Sequence, residues 1–147
     1  MKPFYIIAIS LFFTTFHLFA QEASYLEELS RKEKASYQDA VYLIMAYTGK
    51  LKENSDFNDN IDSLKKEYPK LRIKKPDKDL RMGDLAYLIC KVKNIKGGIW
   101  YTVSKTGRYA TRELIYKNIF PQGVSEWDIV SGMELLNTMG KVAENVE

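Results

Sequence analysis

The chain has 147 residues, 46% apolar and 28% charged, which is the composition of a folded globular protein rather than a disordered one. Lys and Arg number 22 against 19 Asp and Glu, and the resulting net charge of +3 is too mild to argue for a nucleic-acid partner. One histidine and one cysteine exclude an internal disulfide and most acid–base, nucleophilic and metal-binding constellations, so no catalytic residue, metal ligand or cofactor is expected.

The N-terminus begins Met1-Lys2, runs through an apolar stretch from Phe4 to Phe19 and reaches Ala20-Gln21-Glu22. A basic start, a short apolar run and a small residue before polar ones predict a secretory signal peptide over residues 1–20. The run is too short for a comfortable membrane span. The mature chain is then residues 21–147, a single domain without histidine, because His17 lies in the signal. Its 21 basic and 19 acidic side chains leave a charge of +2. No cysteine near the cleavage point offers lipid attachment, and no later segment can cross a bilayer. The expected location is the periplasm or the cell surface.

A short amphipathic piece, Tyr25 to Ser30, comes first. Ser36 and Asp39 then form a capping-box pattern that opens a helix with Ala40, Leu43, Ile44 and Tyr47 on one stripe. Phe57 to Tyr68 predicts a second helix, with Ile61 and Leu64 inward and Pro69 as its stop. Asp56, Asp59 and Asp62 read as its solvated first turn, since nothing apolar around them would raise a carboxyl pKa for catalysis and they lack calcium-loop spacing. Leu71-Arg72-Ile73 suggests a short extended piece. Asp84 opens another helix with Leu85, Leu88, Ile89 and Val92; Arg81 stands where a capping serine would, so this cap is weaker. Cys90 falls in that apolar run and reads as buried and inert. Ile99 to Val103 is rich in strand formers but has no partner, and is expected to be an extended loop. Tyr109 to Ile119 predicts a helix carrying Ala110, Leu114 and Ile115. Trp127 is expected to pack ahead of a last helix opened by Ser131 and Glu134, with Leu135, Thr138, Met139 and Val142. Gly49 and Gly97-Gly98 follow their helices as stop signals do.

The acids Asp39, Asp84 and Glu134 are 45 and 50 residues apart, and each is followed by the same stripe. The first two copies share Asp-x-x-Tyr-Leu-Ile outright. A repeat of this length predicts an all-α domain of three stacked helix-pair repeats. Leu43, Ile44, Leu88, Ile89, Leu135, Leu136 and Met139 are expected in one core.

Within Tyr109 to Lys141, Ala110-Thr-Arg-Glu-Leu114-Ile-Tyr-Lys-Asn118-Ile119 with Gly123, and Val130-Ser131-Gly132-Met133-Glu134-Leu135, resemble the two helix openings of the surface-layer homology (SLH) domain. Leu80-Arg81-Met82-Gly83-Asp84-Leu85 resembles the second opening more loosely. The resemblance implies a helical-repeat bundle at the cell envelope that binds an anionic wall polymer. The family's Thr-Arg-Ala-Glu arginine, which helps hold that polymer, is replaced here by Tyr37, Met82 and Gly132. The acids therefore carry over only as helix caps.

The aromatic–arginine run supplies the candidate binding residues: Arg108, Arg112, Trp100 and Tyr109. Aromatic faces stack on sugar rings, and guanidinium forks bind carboxylates or phosphates. Arg108 and Arg112, four apart at the start of a helix, can share one groove that the loop from Gly97 to Gly107 closes. The same residues could instead fill the gap between repeats. The basic cluster from Lys65 to Lys78 is an alternative, diffuse anion patch or simply a solvated helix end. The expected function is an exported, non-catalytic envelope or cell-surface binding module. Its partner would be an anionic cell-wall glycan or an envelope protein; the alternative is a periplasmic adaptor that binds another protein.

Overall fold

A computed structural model describes residues 23–52, 55–96 and 106–144. The expected signal peptide, the strand-rich piece Ile99 to Val103 and the glycine pair Gly97-Gly98 lie outside these residues. Six helices run through them: α1 over 23–30, α2 Tyr37–Tyr47, α3 Phe57–Glu67, α4 Met82–Val92, α5 Gly107–Tyr116 and α6 Gly132–Glu144. Among the described residues there is no strand, only two isolated bridges, so the protein is all-α. Leu71 to Ile73 pairs with no strand. No helix of the described residues is long and apolar enough to cross a membrane.

The helix starts follow local chemistry. The Ser36 side chain accepts from the Asp39 amide, and the Asp39 carboxylate accepts from the Ser36 amide at 2.9 Å, a reciprocal pair that satisfies two otherwise open donors. Ser131 and Glu134 repeat this at α6, with the Ser131 amide donating to the Glu134 carboxylate at 2.8 Å. Arg81 makes no side-chain cap at α4. Asp56 and Asp59 form a third box at α3, a structural use for two of the clustered acids. The helix ends are more uniform than expected. In α2, α4 and α5 the residue after the cap is left-handed: Gly49 (φ 67°), Asn94 (φ 50°) and Asn118 (φ 57°). The next amide reaches back to the helix, as Lys50 does to Met45, Ile95 to Cys90 and Ile119 to Leu114, all at 2.9 Å. Asn94 therefore ends α4 before Gly97-Gly98 is reached.

The segments that lead into α2, α4 and α6 meet in a ring. The residue before each repeat helix donates its amide to one of the other two and accepts from the third: Ala35 to Val130 (2.8 Å), Val130 to Leu80 (2.9 Å) and Leu80 to Ala35 (2.9 Å). All three side chains are buried. A second tier repeats the pattern, with Tyr37 donating to Lys78, Met82 to Asp128 and Gly132 to Lys32. The close helix packings join α4 to α5 and α2 to α3, so the helix preceding each later repeat helix lies against the unit before it. The backbones come close where α5 meets α4, and also where α6 meets α1. A methyl group on Gly107 would sit 2.7 Å from the Gly83 carbonyl oxygen, and one on Gly132 only 1.7 Å from that of Leu29.

Around the ring the expected stripe residues Leu43, Ile44, Leu88, Ile89, Leu135 and Met139 form one core with Leu29, Leu64, Leu114, Phe120 and Cys90. Leu136 is half-buried at its edge. Trp127 departs from expectation: it is 68% exposed, whereas Val130, three residues on, is buried.

Candidate functional site

The starts of α2, α4 and α5 and the segment 72–74 enclose a groove of about 270 Å³. Its floor is aromatic. Tyr37, in the first turn of α2, is buried and lines the groove together with Asp84, whose carboxylate acts on its hydroxyl. Tyr87, one turn into α4, donates its hydroxyl to the Lys70 carbonyl at 3.0 Å. The Lys74 ammonium lies 2.9 and 3.2 Å from the two Asp84 oxygens and 5.7 Å from the centre of the Tyr37 ring. The Arg72 guanidinium sits 5.2 Å from the centre of the Tyr87 ring. Both are cation–π distances, which hold the two cations at the groove against the pull of solvent.

Thr106 and Gly107 form the opposite wall. Thr106 makes no side-chain cap, so the open first-turn amides of α5 add positive potential on this side. Two cations and one carboxylate, with a helix N-terminus beside them, suit an anion that also carries hydroxyl groups. Burial, reinforced by the adjacent Asp84 carboxylate, raises the Tyr37 phenol well above its ordinary pKa, so it stays a hydrogen-bond donor. No nucleophile–base pair faces the groove among the residues that line it.

The corresponding place in the first unit is sealed by the chain itself. Asp39, the counterpart of Asp84, receives the Tyr25 hydroxyl and the Lys32 ammonium, each at 2.9 Å. The Tyr25 ring lies 4.4 Å from that of Tyr42, the counterpart of Tyr87. The third unit differs again: its acid, Glu134, is exposed, and Asn137 stands at the tyrosine position. One repeat motif thus has three surroundings, and the middle one carries the groove. A second, polar depression of about 410 Å³ lies over the start of α3. Asp59, which lines it, is engaged in capping.

The sequence-derived candidates lie beside this groove. Arg108 and Arg112 are exposed on the first turns of α5. The Arg108 guanidinium is 4.0 Å from the Glu126 carboxylate, and that of Arg112 is 5.9 Å from the centre of the Tyr109 ring. Tyr109 is half-buried against the core. Trp100 lies outside the described residues. The groove lining includes Thr106 and Gly107 of the same helix start but neither arginine. Arg72 and Lys74 come from the basic cluster, whose other members Lys65, Lys66, Lys70, Lys75 and Lys78 point to solvent. Their alternation along an extended segment was the available signal: residues 72 and 74 of such a segment share one side. Tyr37 had none, since it sits 35 residues from Arg72.

No protein-family model, no curated protein and no solved structure matches the chain.

Proposed function

We propose that the protein is an exported, non-catalytic binding module of the cell envelope or cell surface, similar in plan to the SLH domain. It holds an anionic wall glycan in the groove between α2, α4 and α5. The observation that carries this reading is the convergence of Arg72 and Lys74 over the rings of Tyr87 and Tyr37 beside the uncapped start of α5. Where the SLH repeat would place its arginine, this chain has Tyr37, and Arg72 brings a guanidinium to the same groove from the preceding loop. Sugar hydroxyls would meet Asp84 and the Tyr37 hydroxyl, and the anionic group would meet Arg72 and Lys74. The backbone ring through Ala35, Leu80 and Val130 supports the likeness without depending on it.

The test is sedimentation of the purified mature protein with purified cell wall, beside a pull-down on total envelope protein. Wall binding should weaken about tenfold or more in Arg72→Ala with Lys74→Met, and should fall steeply with added salt. Binding that survives the double variant, or that goes only to envelope protein, overturns the glycan reading. Export is tested separately by mass spectrometry of the native N-terminus. A chain starting near Gln21 supports it, and a cytosolic protein with Met1 intact refutes it.

A further inference from the structure

The backbone at the junction of the first and second units is repeated at the junction of the second and third. Ser36 faces Asp79 in one antiparallel bridge, and Arg81 faces Ile129 in the other. Gln38 donates to Pro76 as Gly83 donates to Glu126. Ser36 thus corresponds to Arg81, Asp79 to Ile129 and Asp77 to Trp127. At the first junction these side chains are polar and satisfied. Ser36 caps its own helix, Asp79 pairs with Lys34 at 3.5 Å, and Asp77 is in water.

At the second junction the same places are filled differently. Arg81 leaves α4 without a side-chain cap, and its guanidinium lies 5.5 Å from the centre of the Trp127 ring. Among the described residues no carboxylate is within ion-pair distance of Arg81; Glu126 is turned to Arg108, and Asp128 accepts from the Ser125 amide at 2.8 Å. Trp127 is 68% and Ile129 41% exposed. The Trp127 amide also donates to the Ser125 hydroxyl at 3.3 Å. The core gains little from either side chain. A solvent-facing tryptophan, a β-branched apolar neighbour and an arginine in place of a helix cap are costs to the isolated fold that a partner would offset. Trp and Arg are also the side chains that most often carry binding energy at protein interfaces.

We propose that Arg81, Trp127 and Ile129 form a docking surface for a partner protein. The partner presents an apolar side chain to Trp127 and Ile129 and a carboxylate to the guanidinium of Arg81. None of the three lines the groove described above, so this surface stands independently of the glycan reading.

The test places a photo-crosslinking benzophenone residue at position 129 of the full chain in the cells that make it, with a second chain carrying it at position 79 as control. The expected result is a covalent protein adduct from position 129 and none from position 79. The adduct should fall about tenfold or more in Trp127→Asp and in Arg81→Ser. Arg81→Ser restores the cap seen at Ser36, so its melting temperature should be equal or higher. The crosslinked peptide should contain an acidic residue; changing that residue to Lys should abolish the adduct, and Arg81→Glu should restore it. Absence of an adduct, an adduct with glycan, an adduct with a second copy of this chain, or an adduct indifferent to Arg81 and Trp127 would each overturn the proposal.

Discussion

The ammonium of Lys32 lies 2.9 Å from the carboxylate of Asp39, whose side chain is only 3% exposed. Asp39 also binds the Ser36 amide and hydroxyl and the Tyr25 hydroxyl. Burial by itself raises the pKa of this carboxyl. The hydrogen bonds from Lys32, Ser36 and Tyr25 outweigh that effect and hold it below the ordinary value of 3.8. The folded state therefore binds this proton less readily than the unfolded chain. The stabilisation from Asp39 is complete above about pH 5 and is lost as the pH falls through 3.8 toward the folded value. Urea melts at pH 7 and pH 3 should show Asp39→Asn less stable than wild type at neutral pH, with a smaller loss on acidification. Lys32→Met should cost about 1–3 kcal/mol at pH 7, because a buried carboxylate loses its cation.

Gly132 and Gly140 lie in the same helix and should respond oppositely to alanine. A Cβ at Gly132 meets the Leu29 carbonyl oxygen at 1.7 Å, so α6 must part from α1. Gly132→Ala should cost about 3 kcal/mol or more, in the range of severe overpacking. A Cβ at Gly140 meets nothing within 4 Å. Gly140→Ala should stabilise by about 0.5–1 kcal/mol through helix propensity alone. Thermal melts of the two single variants decide both outcomes.

Leu88 and Cys90 both belong to the buried run of α4. Leu88→Ala should cost about 2–5 kcal/mol, the cost of a lost side chain plus the cavity it leaves. Cys90 is 1% exposed, so its thiol should resist alkylation in native buffer and react once the chain is unfolded. Reactivity of Cys90 in the native protein would place α4 at the surface.

Arg108 and Arg112 are exposed on α5 and, among the described residues, have between them a long 4.0 Å pairing and a single ring contact. Arg108→Ala with Arg112→Ala should leave stability within about 0.5 kcal/mol of wild type. If the double variant also binds wall normally while Arg72→Ala with Lys74→Met does not, the glycan site is the groove alone. If it weakens wall binding, the site extends onto α5.

Much of the fold was legible because helix starts and core stripes are local. A capping box spans three residues, and a helical stripe needs only the 3.6-residue period, so Ser36 with Asp39, Ser131 with Glu134 and the buried run through Leu88 to Cys90 could be read directly. The missing cap at Arg81 was legible for the same reason. Less local features were misread: Asn94 stops α4 ahead of the glycines, since asparagine also tolerates the left-handed conformation, and Trp127 faces water.

The amino-acid sequence by itself determined that the protein is helical, that one motif recurs at Asp39, Asp84 and Glu134, and which side chains line the core. Each of these rests on residues within a turn or two of one another. The tertiary structure alone decided how the repeats are joined. The ring through Ala35, Leu80 and Val130 is made of backbone amides and carbonyls, which every residue possesses and which leave no mark on side-chain pattern. The ring in turn decided function-bearing geometry. It brought Tyr37 to Asp84 and Arg72 to Tyr87, and it set Arg81 against Trp127 across a bridge. The same repeat motif is sealed by Tyr25 in one unit and open in the next because its surroundings come from distant segments, and only folding supplies them.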